Sequence, residues 1–219
     1  MNNFGLYLVM TNPVVGYAQC AAAAVAAGVR IVQLRMKHAS RDELLHTARE
    51  VRRVTQGTQT LFVVDDDPAV ALMAGADGVH VGQTDMPPHE VRARFPGLRI
   101  VGLSTHNLAQ VEASRTEPVD YIGVGPVYAT PTKEIPDPTL GPELAGRMLA
   151  AAAVPAVAIG GINLDTLPAV LAAGARNYAV VRAVCASPTP QAAIEALLAR
   201  ARTASSALSF KRSRIAGES

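Results

Sequence analysis

Eight times along the chain, a short run rich in valine, isoleucine and leucine gives way to a longer stretch rich in alanine and leucine. No other feature constrains the fold as tightly. A strand followed by a helix, repeated without interruption, builds a parallel sheet with its helices packed outside. Strands are expected at residues 4–10, 30–36, 60–65, 78–82, 99–104, 120–125, 154–159 and 177–183. Helices are expected near 16–28, 40–56, 68–75, 87–95, 107–116, 141–152, 164–173 and 188–206. The second helix is the clearest, with Leu44, Leu45, Ala48 and Val51 on one face and Ser40 as its N-cap. Glycine-containing turns such as AAGVR, AGADG and AAGAR recur just before strands. Eight such units in 219 residues fit one (β/α)₈ barrel near its minimum length. An open doubly wound sheet is the alternative, but no G-x-G-x-x-G opens a helix after the first strand.

The barrel is assigned to residues 1–208, leaving 209–219 as a short basic tail expected to be disordered. No run is long and apolar enough to span a membrane, and MNNFGLYLVM lacks the basic region and cleavage pattern of a secretory signal. Cys20 and Cys185 lie far apart without metal-ligand spacing, which suits packed thiols in a reducing cytoplasm. A net charge of +2 and an aromatic content of 4% argue against a nucleic-acid platform. The alanine-rich outer helices could pack against a second subunit, so a homo-oligomer stays open.

A barrel gathers its chemistry at the C-terminal ends of its strands. Gln33, Arg35 and Lys37 alternate at the end of strand 2 and so share a face. Strand 3 ends in three consecutive carboxylates, Asp65, Asp66 and Asp67, of which Asp67 before Pro68 reads as a helix N-cap. Strand 4 leads to Gln83 and Asp85, strand 5 to Ser104, Thr105 and His106, and strand 7 to Gly160 and Gly161. After strand 6 comes PVYATPTKEIPDPTLG, a loop of about fifteen residues, longer than most of its kind, carrying Thr130, Thr132 and Lys133. The twenty Lys and Arg residues include only three lysines, Lys37, Lys133 and Lys211, and the two internal ones both fall on this face.

Two carboxylates from different strands, without a His or Cys cluster, suggest a hard cation, and Mg²⁺ fits because it leaves positions for water and phosphate oxygens. Helix capping or turn formation is the competing role for Asp66 and Asp85, and a general acid/base pair is another. The basic residues favour the metal, since Arg35 offers a planar fork and Lys37 and Lys133 offer point charges to a polyphosphate. The Gly160–Gly161 turn and the end of strand 8 occupy the usual barrel position for a phosphate held by backbone N–H groups. Two anion sites imply two phosphorylated substrates, or one substrate with two phosphate groups. His80 and His106 read as hydrogen-bonded imidazoles, and His38, His46 and His89 as surface residues.

In order and spacing, QLRMK, DDDPAVALMAGADGVHVGQTD, GLSTH, YIGVGPVYATPTK and AIGGI resemble the thiamine phosphate synthase family, from about residue 6 to residue 200. The resemblance implies a transferase of thiamine biosynthesis, a (β/α)₈ barrel that joins a pyrimidine methyl diphosphate to a thiazole phosphate and releases pyrophosphate. Departure of that group would generate a pyrimidine-stabilised carbocation, captured by the thiazole nitrogen. It implies that Gln33, Leu34, Arg35, Met36, Lys37, Asp65, Ser104 and Lys133 bind the pyrimidine diphosphate, with Arg35, Lys37, Lys133 and Ser104 carrying the catalysis. Asp66 and Asp85 would hold one Mg²⁺ per subunit. Thr130, Pro131, Thr132, Gly161, Val181 and Arg182 would bind the thiazole phosphate. Three positions depart from the family pattern: Asp65 stands for the usual Asn, Met36 for a common Glu, and Arg182 for the usual Ser. Rival readings are a thiazole tautomerase on the same barrel, a non-catalytic phosphate-binding sensor and a phosphate-binding isomerase. The partners implied are two small phosphorylated molecules, with no nucleic acid and no membrane.

Overall fold

The computed structural model describes residues 3–130 and 138–216, with side chains as far as 207. Eight parallel strands pair in sequence order and close into a barrel: β1 (Leu6–Met10), β2 (Ile31–Leu34), β3 (Leu61–Asp65), β4 (Gly78–Val81), β5 (Ile100–Thr105), β6 (Tyr121–Val124), β7 (Ala156–Ile159) and β8 (Asn177–Val180). Around them lie α1 (Tyr17–Ala26), α2 (Arg41–Thr55), α3 (Pro68–Met73), α4 (Pro88–Arg94), α5 (Leu108–Ala113), α6 (Gly141–Ala151), α7 (Leu167–Ala172), α8 (Arg182–Cys185) and α9 (Pro190–Ala216). Among the described residues no helix is long and apolar enough to cross a membrane.

Local chemistry sets the helix starts. Ser40 and Glu43 form a reciprocal capping box on α2, with acidic residues in its first turn and Arg52 and Arg53 in its last. Asp67 accepts the Val70 N–H at 2.8 Å and Pro68 follows it, so the capping role expected for Asp67 is the one it has. The helix expected from 164 begins instead at Leu167, because Asn163 Oδ1 accepts the N–H groups of Asp165 and Thr166 and holds them in a turn. Strand 8 also stops earlier than expected. Val181 leaves the extended region, and the N–H groups of Val184 and Cys185 donate to its carbonyl, which starts the short helix α8. At the other end, α9 runs on to Ala216, into the segment from 209 that is expected to be a tail.

Strand parity sorts the side chains into two cores. Tyr7, Val9, Ile31, Val63, Ile100, Tyr121, Val157 and Ala179 pack inside the barrel, while Leu8, Val32, Leu34, Phe62 and Val64 face the helices. Large interior residues need small neighbours. A Cβ on Gly102 would lie 2.2 Å from Tyr121 Cζ, so glycine at that register is what admits the tyrosine.

The N-terminal rim is tied by polar side chains. Asp77, just before β4, accepts the Phe62 N–H of β3 at 2.9 Å and an Arg52 N–H at 3.2 Å, and pairs with Arg99. Asp120, before β6, accepts the Val101 N–H of β5 at 2.7 Å and pairs with Arg92. Asn177, opening β8, accepts the N–H groups of Phe4 and Gly5 ahead of β1. Asp77 is 6% exposed, so its removal leaves buried donors without partners. Asp77→Ala is expected to lower unfolding free energy by about 2–4 kcal/mol in a denaturant titration, with turnover per folded molecule retained because the rim lies opposite the C-terminal face.

Candidate active site

The three aspartates after β3 have three different environments. Asp65 continues the inward parity of Val63, and its side chain is 9% exposed. Asp66 would face the helices if the strand continued. Its backbone turns instead into the left-handed region, with φ 63°, held by its N–H donating to the His80 carbonyl at 2.8 Å. Asp tolerates this conformation better than most residues. The turn brings Asp66 to Lys37 Nζ on one side and to Asp85 on the other. Asp67, beyond it, caps α3 and also meets Arg41 Nε at 3.2 Å.

A compact charge cluster results. Asp65 Oδ2 lies 3.4 Å from Arg35 Nε and 3.5 Å from Lys37 Nζ. Burial pushes the Asp65 carboxyl up to about 7, reinforced by Asp66 and opposed by Lys37 and Arg35. Lys37 loses solvation, yet Asp65 and Asp66 more than offset that and hold its ammonium above its ordinary value. Asp85 Oδ2 accepts the Gly82 N–H at 2.7 Å. Its carboxyl is raised by burial first, and further by the neighbouring Asp66.

Beside this cluster opens a cavity of about 450 Å³. Gln33, Arg35, Asp65 and Ser104 line it from β2, β3 and β5, and Thr130, Gly161, Val181 and Arg182 line it from β6–β8 and their loops. Gly160 and Gly161 have φ of 106° and 63°, and a Cβ on Gly161 would meet Tyr128 Cβ at 2.6 Å, so this turn requires glycine. Lys37, Asp66 and Asp85 sit next to the cavity, joined to it through Asp65.

Leu34 and Met36 are brought neither to the cavity nor to the cluster beside it. Leu34 is fully buried among the outer core residues and Met36 packs against them, because their parity is opposite to that of Gln33 and Arg35. Pro131, Thr132 and Lys133 lie outside the described residues. Among the described residues no three His, Cys, Asp or Glu side chains gather as a metal cluster. Asp66 and Asp85 nevertheless suit a hard cation: they form an all-oxygen, like-charged pair, and the ammonium of Lys37 already rests on one of them.

A chain of hydrogen bonds through the barrel interior was not foreseen. Gln33 Nε2 donates to Tyr7 OH at 2.9 Å, Tyr7 OH meets Tyr121 OH at 2.8 Å, Tyr121 OH meets His80 Nδ1 at 2.9 Å, and His80 Nε2 meets Ser104 Oγ at 2.9 Å. Its signal lay in strand parity, which puts Tyr7, Gln33, His80, Ser104 and Tyr121 all inside. His106 also borders the cavity and donates from Nδ1 to the Gly125 carbonyl at 2.7 Å.

Comparison with known proteins places these features in a lineage. Residues 6–184 match the family model described as thiamine monophosphate synthase. The chain is 39% identical over 203 residues to the thiamine-phosphate synthase of Laribacter hongkongensis, covering 91% of this chain and 96% of that one. It is 42% identical over 176 residues to the thiamine-phosphate synthase of a Synechococcus species; that alignment covers 80% of this chain, which spans about half (50%) of that longer relative. A solved structure of thiamine phosphate pyrophosphorylase from Pyrococcus furiosus superposes with a TM-score of 0.84 at 30% identity, covering 93% of this chain and 98% of that one.

The Asp65 carboxylate faces the same two cations, Arg35 and Lys37, that an anion entering beside it would engage. Asp65→Asn removes that charge and keeps the side chain's shape. Inorganic pyrophosphate is expected to bind the variant about 3- to 10-fold more tightly in a calorimetric titration. Equal or weaker binding would mean that Asp65 does not restrain the two cations.

Proposed function

The chain belongs to the thiamine monophosphate synthase family, and from that premise we propose that it joins a pyrimidine methyl diphosphate to a thiazole phosphate, giving thiamine phosphate and pyrophosphate. The observation that carries this reading is a single cavity of about 450 Å³ with a cation-rich cluster beside one wall and a glycine turn at another. A cavity of that size suits two small phosphorylated molecules held together.

The chemistry is a substitution at the methylene carbon. The C–O bond to the diphosphate breaks, and pyrophosphate leaves with the electron pair. The pyrimidine methyl cation that remains is captured by the lone pair of the thiazole nitrogen, forming the C–N bond. A ring nitrogen of this kind has no proton to lose, so a general base is not required. The difficulty lies in the charge developing on pyrophosphate, which preorganised cations stabilise. Arg35 and Lys37 are assigned that role, with Lys133 joining them from the long loop, and Ser104 donates a hydrogen bond to the same substrate. Gln33 holds the pyrimidine.

Asp66 and Asp85 are assigned to hold Mg²⁺, which when bound would add positive charge against the leaving group. Their two carboxylates leave room for water and phosphate oxygens in its shell. Gly161, Val181 and Arg182, with Thr130, Pro131 and Thr132, are assigned to the thiazole phosphate. Arg182 lines the cavity where the family usually carries Ser, and its guanidinium would add a charge-assisted bond that a hydroxyl lacks. A cytoplasmic setting suits the two free, buried thiols of Cys20 and Cys185.

Pyrophosphate release is expected only when both substrates and Mg²⁺ are supplied, and Asp66→Ala is expected to lower it by about 100-fold or more. Tight binding of either substrate without release would instead favour a sensor barrel, and metal-independent turnover of a thiazole carboxy phosphate would favour the tautomerase. Arg182→Ala is expected to raise the KM for thiazole phosphate by about 5- to 20-fold, while the Mg²⁺ concentration giving half-maximal rate stays the same. An unchanged KM would remove Arg182 from the phosphate site.

A further inference from the structure

The direction in which the buried hydrogen-bond chain runs decides what Ser104 offers to a ligand. Five side chains from five strands take part: Gln33 of β2, Tyr7 of β1, Tyr121 of β6, His80 of β4 and Ser104 of β5. Each phenol has a single proton to give. The Gln33 amide donates to Tyr7, so the Tyr7 proton is free for Tyr121. If Tyr7 accepted from Tyr121 as well, its own buried proton would have no acceptor among these five side chains, so the arrangement that uses every proton has Tyr7 donate to Tyr121 and Tyr121 donate to His80 Nδ1. A neutral imidazole that accepts at Nδ1 carries its hydrogen on Nε2, and Nε2 faces Ser104 Oγ. Serine, accepting that hydrogen, keeps its own proton for another partner, and Ser104 lines the cavity.

We propose that Tyr7, Tyr121 and His80 are positioning residues whose hydrogen-bond chain fixes the Ser104 hydroxyl as a donor aimed into the cavity. This rests on the proposed function only in naming the acceptor, an oxygen or ring-nitrogen lone pair of the pyrimidine diphosphate. The opposite polarity would spend the serine proton on His80 and present oxygen lone pairs to an anionic ligand. Binding an anion and orienting the chain this way therefore reinforce each other.

Several features hold the arrangement. Tyr7 and Tyr121 are almost fully buried, and burial keeps both phenols well above their ordinary titration range, so each retains its one proton. The rings of His80 and Tyr121 stack with centroids 5.4 Å apart, and Tyr7 meets Tyr121 edge to face at 5.8 Å. The contact exists because residue 102 is glycine: a Cβ there would lie 2.4 Å from Tyr121 OH and 2.5 Å from His80 Nδ1. His80 also pairs in register with Asp65 on β3 and Gly102 on β5, which fixes its height in the barrel.

The first arm of the test reads the imidazole directly and needs no substrate. Protein labelled with nitrogen-15 in histidine is examined by long-range proton–nitrogen correlation at a pH about two units above the ordinary imidazole value. His80 is assigned by the signal missing from His80→Gln. The expected result is the Nε2–H tautomer in the parent protein. Tyr121→Phe removes the donor to Nδ1 and is expected to give a mixture of tautomers. Tyr7→Phe leaves Tyr121 its own proton and is expected to preserve Nε2–H. In steady-state kinetics, Tyr121→Phe should raise the KM for the pyrimidine diphosphate about 5- to 10-fold and leave the KM for thiazole phosphate unchanged. An Nδ1–H tautomer in the parent, or a Tyr121→Phe variant whose tautomer and diphosphate KM both match the parent, would overturn the proposal. The expected tautomers without any turnover would count against the synthase reading while supporting the polarity of the chain. If Tyr121→Phe fails to fold, the parent tautomer and Tyr7→Phe still decide the matter.

Discussion

Closure of eight parallel strands makes residue parity the controlling constraint. In an open sheet with helices on both faces, successive side chains meet similar surroundings. In the barrel one face is a narrow interior and the other is a broad apolar layer under the helices. A shift of one residue would move Arg35 and Asp65 out among the leucines and bring Leu34 and Val64 in. Parallel pairing of every strand with both neighbours, from β1 round to β8, is what prevents such a shift. The polar chain in the interior and the charged cluster above it both depend on that register.

Within that frame the cluster next to the cavity sets two cations against three carboxylates. Arg35 and Lys37 are opposed by Asp65, and Lys37 also rests on Asp66, which in turn adjoins Asp85. The acids outnumber the bases among these five residues, which is costly next to a low-dielectric interior. The raised carboxyls of Asp65 and Asp85 express that cost. A divalent cation together with a polyphosphate would resolve it, the cation facing the carboxylates and the polyphosphate facing Arg35 and Lys37. The left-handed backbone at Asp66 fits the same account, since local strain is tolerated where it serves to aim a functional side chain.

Much of this could be read in the sequence because period and punctuation are local properties. All eight strands were legible from their apolar runs, and some of them also from the glycine turns before them. The convergence of Gln33, Arg35, Asp65 and Ser104 on one cavity followed once the barrel was assumed. Other features depended on contacts between distant residues. Helix α8 arises because Val181 departs from extended geometry, which nothing in VVRAVCAS announces. The interior chain needs Tyr7, Tyr121 and His80 at one level of the barrel, and that level is set by pairing registers across several strands. Asp66 was legible as a carboxylate at the right strand end, but parity alone would have pointed it at the helices.

The two ends of the barrel show how position gives one residue type opposite roles. Asp77 and Asp120 at the N-terminal rim each take a strand N–H and an arginine, so every lone pair in use serves to brace one strand against the next. Neither depends on a ligand to satisfy it. At the C-terminal face the strands run out with their carbonyls, and Asp65, Asp66 and Asp85 find few backbone donors, Gly82 being the one that reaches Asp85. Among the described residues Arg35 and Lys37 reach Asp65, Lys37 reaches Asp66, and Asp66 reaches Asp85, and an incoming anion could draw the two cations away. A carboxylate bound by backbone N–H groups is fixed by the fold, whereas one bound by a movable cation can exchange its partner. That difference in donors lets the same side chain hold the barrel together at one end and exchange partners at the other.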